Sequence, residues 1–216
     1  MAPLRRRVSE APTASAATLD VDALLVALDS EDADARRGAA LSLAGKHEAA
    51  AALAKRLGVE RDRSVREAIG GALLRCASEE SAHAIAPLMS ADDATLRNEA
   101  RELLHALPHA ELVAEALLTA SDPDVRMFAI EILATRKGSD GAARIAETLA
   151  SERDINVLAH AVEQLGLVGT CAQLELLRAL EARWPDEEFL GFAIADARER
   201  MQGRTESVRG SADQVD

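Results

Sequence analysis

Apolar residues recur along the chain with two periods. The short period is that of an α-helix, and the long period, of about 30 residues, separates similar segments. Six segments of similar sequence share an anchor position, which is occupied by Arg36, Arg66, Arg97, Arg126, Leu158 and Leu190. Successive anchors lie 30, 31, 29, 32 and 32 residues apart. Apolar residues stand one position before and three positions after every anchor, and leucine stands seven positions after the first five. These offsets predict one buried stripe of an α-helix in each segment, which includes Phe189 in the sixth.

Each anchored helix is preceded by an aspartate and by a second helical stretch. The aspartate stands four residues before the anchor in all six segments, at Asp32, Asp62, Asp93, Asp122, Asp154 and Asp186. Its carboxylate can accept hydrogen bonds from the free N–H groups of the first helical turn, so we predict that it caps the helix. The preceding helical stretches are predicted at residues 21–28, 47–57, 80–89, 110–120, 141–150 and 171–182. The sequence therefore predicts six antiparallel helix pairs.

The helix pairs are expected to form one domain. A single pair of this length cannot bury its apolar stripe, whereas a stack of pairs can. We therefore expect a repeat domain at residues 19–201. The tails at residues 1–18 and 202–216 are polar and unpatterned, and they are expected to be disordered because they cannot bury enough apolar surface.

The repeated pattern Asp-x-x-Val-Arg-x-x-Ala-x-x-x-Leu carries a family resemblance. It is clearest at residues 122–133 and 62–73. The pattern resembles the HEAT-repeat family, in particular the short bacterial HEAT-like repeats of the type seen in phycobilisome-lyase subunits. This resemblance implies an all-α fold, a right-handed α-solenoid (superhelix) of about six HEAT-like helix pairs. It also implies that the second helix of each pair lines the concave side.

The same resemblance implies a structural ladder between neighbouring repeats, built from the aspartate and arginine of each pattern. Its members would be Asp32, Arg36, Asp62, Arg66, Asp93, Arg97, Asp122 and Arg126. Leucine replaces the arginine in the last two repeats, at Leu158 and Leu190, so the ladder is expected to be lost there. The alternative is that the arginines form a row that binds a ligand.

Composition and charge narrow the classes of partner. Hydrophobic residues make up 48% of the chain but aromatic residues only 2%, which argues against a β-sandwich or barrel. The net charge of -12 disfavours nucleic acid as a partner. Only two cysteines are present, far apart at Cys76 and Cys171, and no apolar run is long enough to span a membrane. We expect a cytoplasmic protein, and the heavy use of Ala and Arg favours a bacterial source.

The sequence shows no convincing motif for catalysis or metal binding. A di-iron hydroxylase built from HEAT-like repeats carries paired His-Glu dipeptides just after the anchor, and other residues fill those positions here. The single His-Glu dipeptide, at residues 47–48, has no counterpart in another repeat. A DNA glycosylase of similar architecture would need a basic face and aromatic residues. We therefore expect no catalytic residue, no metal and no cofactor.

Two groups of residues on the second helices are candidates for binding a partner. Glutamates stand five positions after three consecutive anchors, at Glu102, Glu131 and Glu163, and would form an acidic ridge. Larger side chains stand one or two positions after the later anchors, at Met127, Phe128, His160 and Phe192. Clustered aromatic and Met side chains are typical of interaction surfaces. The alternatives are a solvated acidic face for the glutamates and packing between repeats for the apolar residues.

The function that these features favour is binding, without catalysis. We expect an adaptor or scaffold that holds a protein or peptide on its concave face, with a basic surface on the partner as one possibility. One alternative is a bilin-lyase-like or cofactor-maturation accessory subunit. Another is a regulatory partner in bacterial signalling, and the oligomeric state is left open.

Overall fold

The computed structural model describes residues 20–135 and 139–212, and its architecture is a stack of helix pairs. The described residues form twelve α-helices: α1 (Val21–Ala27), α2 (Ala33–Ser42), α3 (Ala50–Leu57), α4 (Arg63–Cys76), α5 (Glu79–Ile85), α6 (Ala94–Ala106), α7 (Glu111–Leu117), α8 (Pro123–Ala134), α9 (Ser139–Ser151), α10 (Ile155–Val168), α11 (Leu174–Arg183) and α12 (Glu188–Ala212). Consecutive helices form six pairs, which confirms the predicted all-α solenoid. The tail predicted at residues 1–18 lies outside the described residues.

Equivalent helices of successive pairs lie side by side. Among the second helices, α2 packs against α4, α8 against α10 and α10 against α12, while α3 packs against α5 among the first helices. The leucines seven positions after the first five anchors lie in the resulting core and are fully buried, at Leu43, Leu73, Leu104, Leu133 and Leu165. Burial of one leucine side chain contributes about 1.5–3 kcal/mol, so this stripe stabilises the stack.

The predicted aspartate caps are confirmed for the first five second helices. Asp32, Asp62, Asp93, Asp122 and Asp154 are the N-cap residues of α2, α4, α6, α8 and α10. Each carboxylate accepts a hydrogen bond from the backbone N–H two residues later, over 2.8–3.0 Å. The repeated turn before each second helix therefore has one local cause, which is a carboxylate that bonds an otherwise free N–H group.

Removing one of these caps should cost a measurable part of the stability. Asp154 accepts hydrogen bonds from the N–H groups of Asn156 and Val157. We expect Asp154→Ala to lower the free energy of unfolding by about 1 kcal/mol in urea titrations. Asp186 is the matched control, because it lies two residues before the first residue of α12 and so outside the N-cap position. An equal loss in Asp186→Ala would contradict the capping role.

The sixth repeat departs from the predicted register. α12 begins at Glu188, one residue later relative to the anchor than the other second helices. Leu190 and Ile194 are buried, whereas Phe189 is 60% exposed. Because each residue turns a helix by about 100°, Leu190 takes the place in the buried stripe that the alignment assigned to Phe189. The prediction that Phe189 lies in the core was wrong.

The last helix is also longer than the predicted repeat domain. α12 continues to Ala212, although the sequence predicted the end of the domain at residue 201. A helix that is already nucleated by packing gains one hydrogen bond for each residue added, so it can extend beyond its buried part. Met201 is the last of its buried residues among those whose side chains are described.

Candidate functional site

Four arginines are held in the same way at the start of the second helices. Arg36, Arg66, Arg97 and Arg126 each donate a hydrogen bond from Nη1 to the backbone carbonyl six residues earlier, over 2.7–3.0 Å. These carbonyls lie in the turn that precedes each second helix. The contact fixes the guanidinium group and leaves Nε and Nη2, which we call its outer edge, for other partners.

The outer edge of three of these arginines binds a glutamate of the next repeat. Arg36 binds Glu60, Arg66 binds Glu99 and Arg126 binds Glu152. The distances from Nε to the carboxylate are 2.7, 3.0 and 2.8 Å, in that order. The cross-repeat carboxylates are therefore glutamates and not the aspartates that the resemblance implied. Each of the first five aspartates instead accepts the N–H group of its own helix.

Glu60 makes the largest number of these contacts among the three glutamates. It is only 3% exposed, and its carboxylate accepts hydrogen bonds from Arg36 and Arg56 and from the N–H groups of Arg61 and Asp62. The Arg36 guanidinium is the main cause that lowers the pKa of Glu60 from 4.5 to about 2, while burial of the carboxylate acts in the opposite direction. The first two repeats are thus joined by a buried, ionised carboxylate.

Glu60 should make the stability depend on pH in mild acid. Its pKa is lower in the folded chain than in the unfolded chain, so its contribution is complete above pH 4.5 and is lost as the pH falls toward about 2. The expected loss over this range is about 3 kcal/mol. About 2 kcal/mol of it should be lost by pH 3, and urea unfolding at about pH 6, 4 and 3 would measure that part. Glu60→Gln should lose less stability than the natural chain over the same range, and equal losses would contradict this origin.

The second helices separate between the third and fourth pairs. The backbones of α6 and α8 approach each other less closely than those of α8 and α10, although Arg101 of α6 contacts Phe128 and Glu131 of α8. The space between them is a groove of about 370 Å³ with Arg97, Asn98 and Arg101 on one side and Val125, Met127 and Phe128 on the other. This volume is within the range of protein ligand sites, so the groove can take a few side chains of a partner.

Phe128 lies beneath this groove and is only 1% exposed. The expectation that it adds an exposed aromatic surface was wrong, because its ring packs in the core between the repeats. The Arg101 guanidinium lies 5.2 Å from the ring centroid, a cation–π distance. Arg101 also binds Glu131, with 2.7 Å between Nη2 and Oε2. A charged pair therefore covers the aromatic ring.

The three predicted glutamates do not form a continuous acidic ridge. Glu102 and Glu163 are exposed, whereas Glu131 is bound to Arg101 and is half-buried. Its Oε1 atom also lies 3.6 Å from Nε2 of His160. The middle of the predicted ridge is thus neutralised by a cation from the preceding repeat.

The larger side chains predicted to bind a partner divide between two places. Met127, Phe128 and His160 all line the groove, whereas Phe192 lies on α12 and is 75% exposed. The sequence did not single out Arg101, although it stands four residues after Arg97 on one face of α6. That spacing is the signal by which the basic side of the groove could have been found.

Metal ligands are not grouped in the part of the chain that the structure describes. Its His, Cys, Asp and Glu residues include no set of three placed to hold a metal ion. Among the helices of residues 20–135 and 139–212, none combines the length and apolar character that crossing a membrane requires.

Comparison with known proteins supports the repeat architecture. Residues 110–189 match the HEAT repeats family. This range runs from the start of α7 into α12, and HEAT repeats generally mediate protein–protein interactions. An engineered protein solved by the Northeast Structural Genomics Consortium is 19% identical, covers 85% of this chain and 97% of its own, and has a TM-score of 0.40. No curated protein matches the chain.

Proposed function

We propose that the chain is a non-catalytic adaptor or scaffold, which holds a partner protein on the concave face formed by its second helices. The observation that carries this proposal is the groove of about 370 Å³ between α6 and α8, whose lining combines Arg97 and Arg101 with Met127. This opening leaves side chains of both helices accessible to another chain. A stack of repeats also provides the extended, rigid surface that protein recognition uses.

The groove has the mixed character of a protein-binding surface. Met127 supplies a flexible apolar side chain, and Arg97 and Arg101 supply guanidinium groups at the opposite side. Arginine and methionine are both enriched at interfaces, where one contributes directed hydrogen bonds and the other adaptable apolar contact. Glu102, Glu163 and Phe192 remain candidates for additional contacts outside the groove.

Site-specific photo-crosslinking tests this proposal directly. A photoreactive amino acid in place of Asn98, an exposed residue of the groove, should give a discrete adduct with a protein from the source cells. Glu67 is the matched control, because it is exposed at the equivalent position of the second repeat, away from the groove. Equal adducts at both positions, or none at either, would contradict the proposed face. A cofactor-bearing protein in the adduct would favour the maturation-factor alternative.

A bacterial cytoplasmic setting is part of the proposal. The chain has only two cysteines, Cys76 and Cys171, which lie far apart in the sequence. So few cysteines, without the spacing of a disulfide framework, are more usual in proteins of a reducing compartment than in small secreted proteins. The same adduct experiment in intact cells would test this, since the partner should be a protein of that compartment.

A further inference from the structure

Arg97 differs from the other three arginines in what its outer edge contacts. Its Nη1 contacts to the carbonyls of Ala91 and Asp92, at 2.7 and 2.9 Å, are the same as those of its equivalents. Within the described ranges, however, no carboxylate forms an ion pair with it, in contrast to Arg36, Arg66 and Arg126. The guanidinium is half-buried and held in place, with a bidentate edge suited to a carboxylate.

One sequence position explains this difference. The residue six positions before an anchor directs its side chain to the arginine of the preceding repeat, as Glu60 does to Arg36 and Glu152 to Arg126. Arg97 belongs to the third repeat, so its partner should come from this position of the fourth repeat. The residue there is Ala120. A methyl group has no hydrogen-bond acceptor, so the fourth repeat offers nothing to the outer edge of Arg97 from there.

The second source of a carboxylate is also missing in the fourth repeat. The third repeat has Ala91 at the same position, but Glu99 replaces it by binding Arg66 from two positions after the anchor. The residue two positions after the anchor in the fourth repeat is Phe128, which is buried and apolar. Three of the four arginines thus bind a glutamate carboxylate of the next repeat. Arg97, which lines the groove, has no such glutamate in the described part of the chain.

Three other charged groups of the groove, Arg101, Glu131 and Asp122, have partners within the chain. Arg101 and Glu131 form an ion pair. Asp122 caps α8 by accepting the N–H group of Asp124, and the Asp124 carboxylate lies at the exposed start of that helix. Arg97 is therefore the cation of the groove whose outer edge can take an external carboxylate. The two aspartates nearby disfavour a ligand that carries many negative charges.

We propose that the groove binds a peptide segment of a partner protein through one Glu or Asp side chain, whose carboxylate binds the outer edge of Arg97. This inference rests on the proposed function and adds the chemistry of the partner. The incoming carboxylate makes the bidentate contact that Glu60 makes with Arg36. An apolar side chain next to the acidic residue lies against Met127 in the opposite wall. A segment with a single acidic residue fits this site better than a polyacidic one.

A substitution that supplies the missing carboxylate within the chain tests the proposal. Ala120→Glu reproduces the arrangement of Glu60 and Glu152, so its side chain should bind Arg97 and compete with an external carboxylate. Ala91→Glu is the matched control, because it adds the same charge at the same position of the third repeat, where Arg66 already binds Glu99. Arg97→Gln removes the guanidinium itself. Circular dichroism and urea titration would confirm that all three variants fold.

The probe is a phage-displayed library of random dodecapeptides, selected on the full-length natural chain. Selected peptides should share one Glu or Asp beside an apolar residue, and the synthetic peptides should bind the natural chain and Ala91→Glu with similar affinity. Binding to Ala120→Glu and to Arg97→Gln should be weaker by about tenfold or more, as expected for loss of a charge-assisted bidentate contact. Binding should also weaken as salt is added.

The outcomes separate this inference from the proposed function. Peptides without a shared acidic residue, or with equal affinity for the natural chain, Ala120→Glu and Arg97→Gln, would overturn the carboxylate site. If those peptides still crosslink to the photoreactive residue at position 98, the proposed binding face stands without it. A library that yields no binder to the natural chain would overturn the inference. If the photoreactive residue at position 98 also gives no adduct with a protein of the source cells, the proposed function is overturned.

Discussion

Glu60→Ala is expected to lower the free energy of unfolding by about 3 kcal/mol or more at neutral pH. The substitution leaves the Arg36 guanidinium without the carboxylate that it contacts at 2.7 Å, in a site where the Arg36 side chain is 10% exposed. Loss of one partner of a buried ion pair is strongly destabilising because the remaining charge stays desolvated. The effect extends beyond one pair, since Glu60 also accepts hydrogen bonds from Arg56, Arg61 and Asp62. Equilibrium urea unfolding would measure it.

Glu67→Ala is the matched control for this prediction. Glu67 lies in α4, close in sequence to Glu60, and its partner Arg63 is 92% exposed. An exposed ion pair of this kind contributes about 0.5 kcal/mol or less. The prediction fails if the two substitutions have equal effects, because the buried position of Glu60 would then add nothing.

Gly166→Leu is expected to be the second severe substitution, through the contact of α10 with α12. A Cβ atom at Gly166 would lie only 3.0 Å from both Cα and Cβ of Ala197. Both helices would have to move apart, and overpacking of this kind costs about 1–3 kcal/mol or more. We expect loss of helical signal from α12 at a lower urea concentration than in the natural chain. Circular dichroism and the urea midpoint would report both changes.

Gly191 provides the comparison for Gly166. It lies in α12, and a Cβ atom there would have no other atom within 4 Å. Alanine is a better helix former than glycine, so Gly191→Ala should stabilise the chain by about 0.5–1 kcal/mol. Destabilisation by Gly191→Ala comparable with that of Gly166→Leu would show that the close approach to Ala197 is not the cause.

The parts of the fold that depend on local sequence could be predicted. The buried stripe and the aspartate caps are set by residues within about one or two turns of each other. Asp122 and Val125 therefore indicated the start of α8, and the spacing of the anchors indicated the stack. The same local pattern occurs in several repeats, and its recurrence makes the predicted helix starts more reliable.

The parts that depend on packing between repeats could not be predicted from offsets. Phe128 and Phe192 stand at the same distance from their anchors, yet one is 1% and the other 75% exposed. The difference arises because the sixth repeat is shifted by one residue, so that Phe192 takes the place of Met127, and because α12 is the last helix of the described stack. The separation of α6 from α8 likewise depends on how two surfaces fit, and a single-helix pattern carries no information on that fit.

The separation of α6 from α8 also has a mechanical meaning. The first helices of the same two pairs, α5 and α7, keep close backbone contact, whereas α6 is joined to α8 through the Arg101 side chain. We expect this joint to bend about α5 and α7, which would change the width of the groove between α6 and α8. Because each pair in a stack is stabilised mainly by its neighbours, the first three and the last three pairs should each move as a stiff unit. A partner bound in the groove would restrict the motion between them.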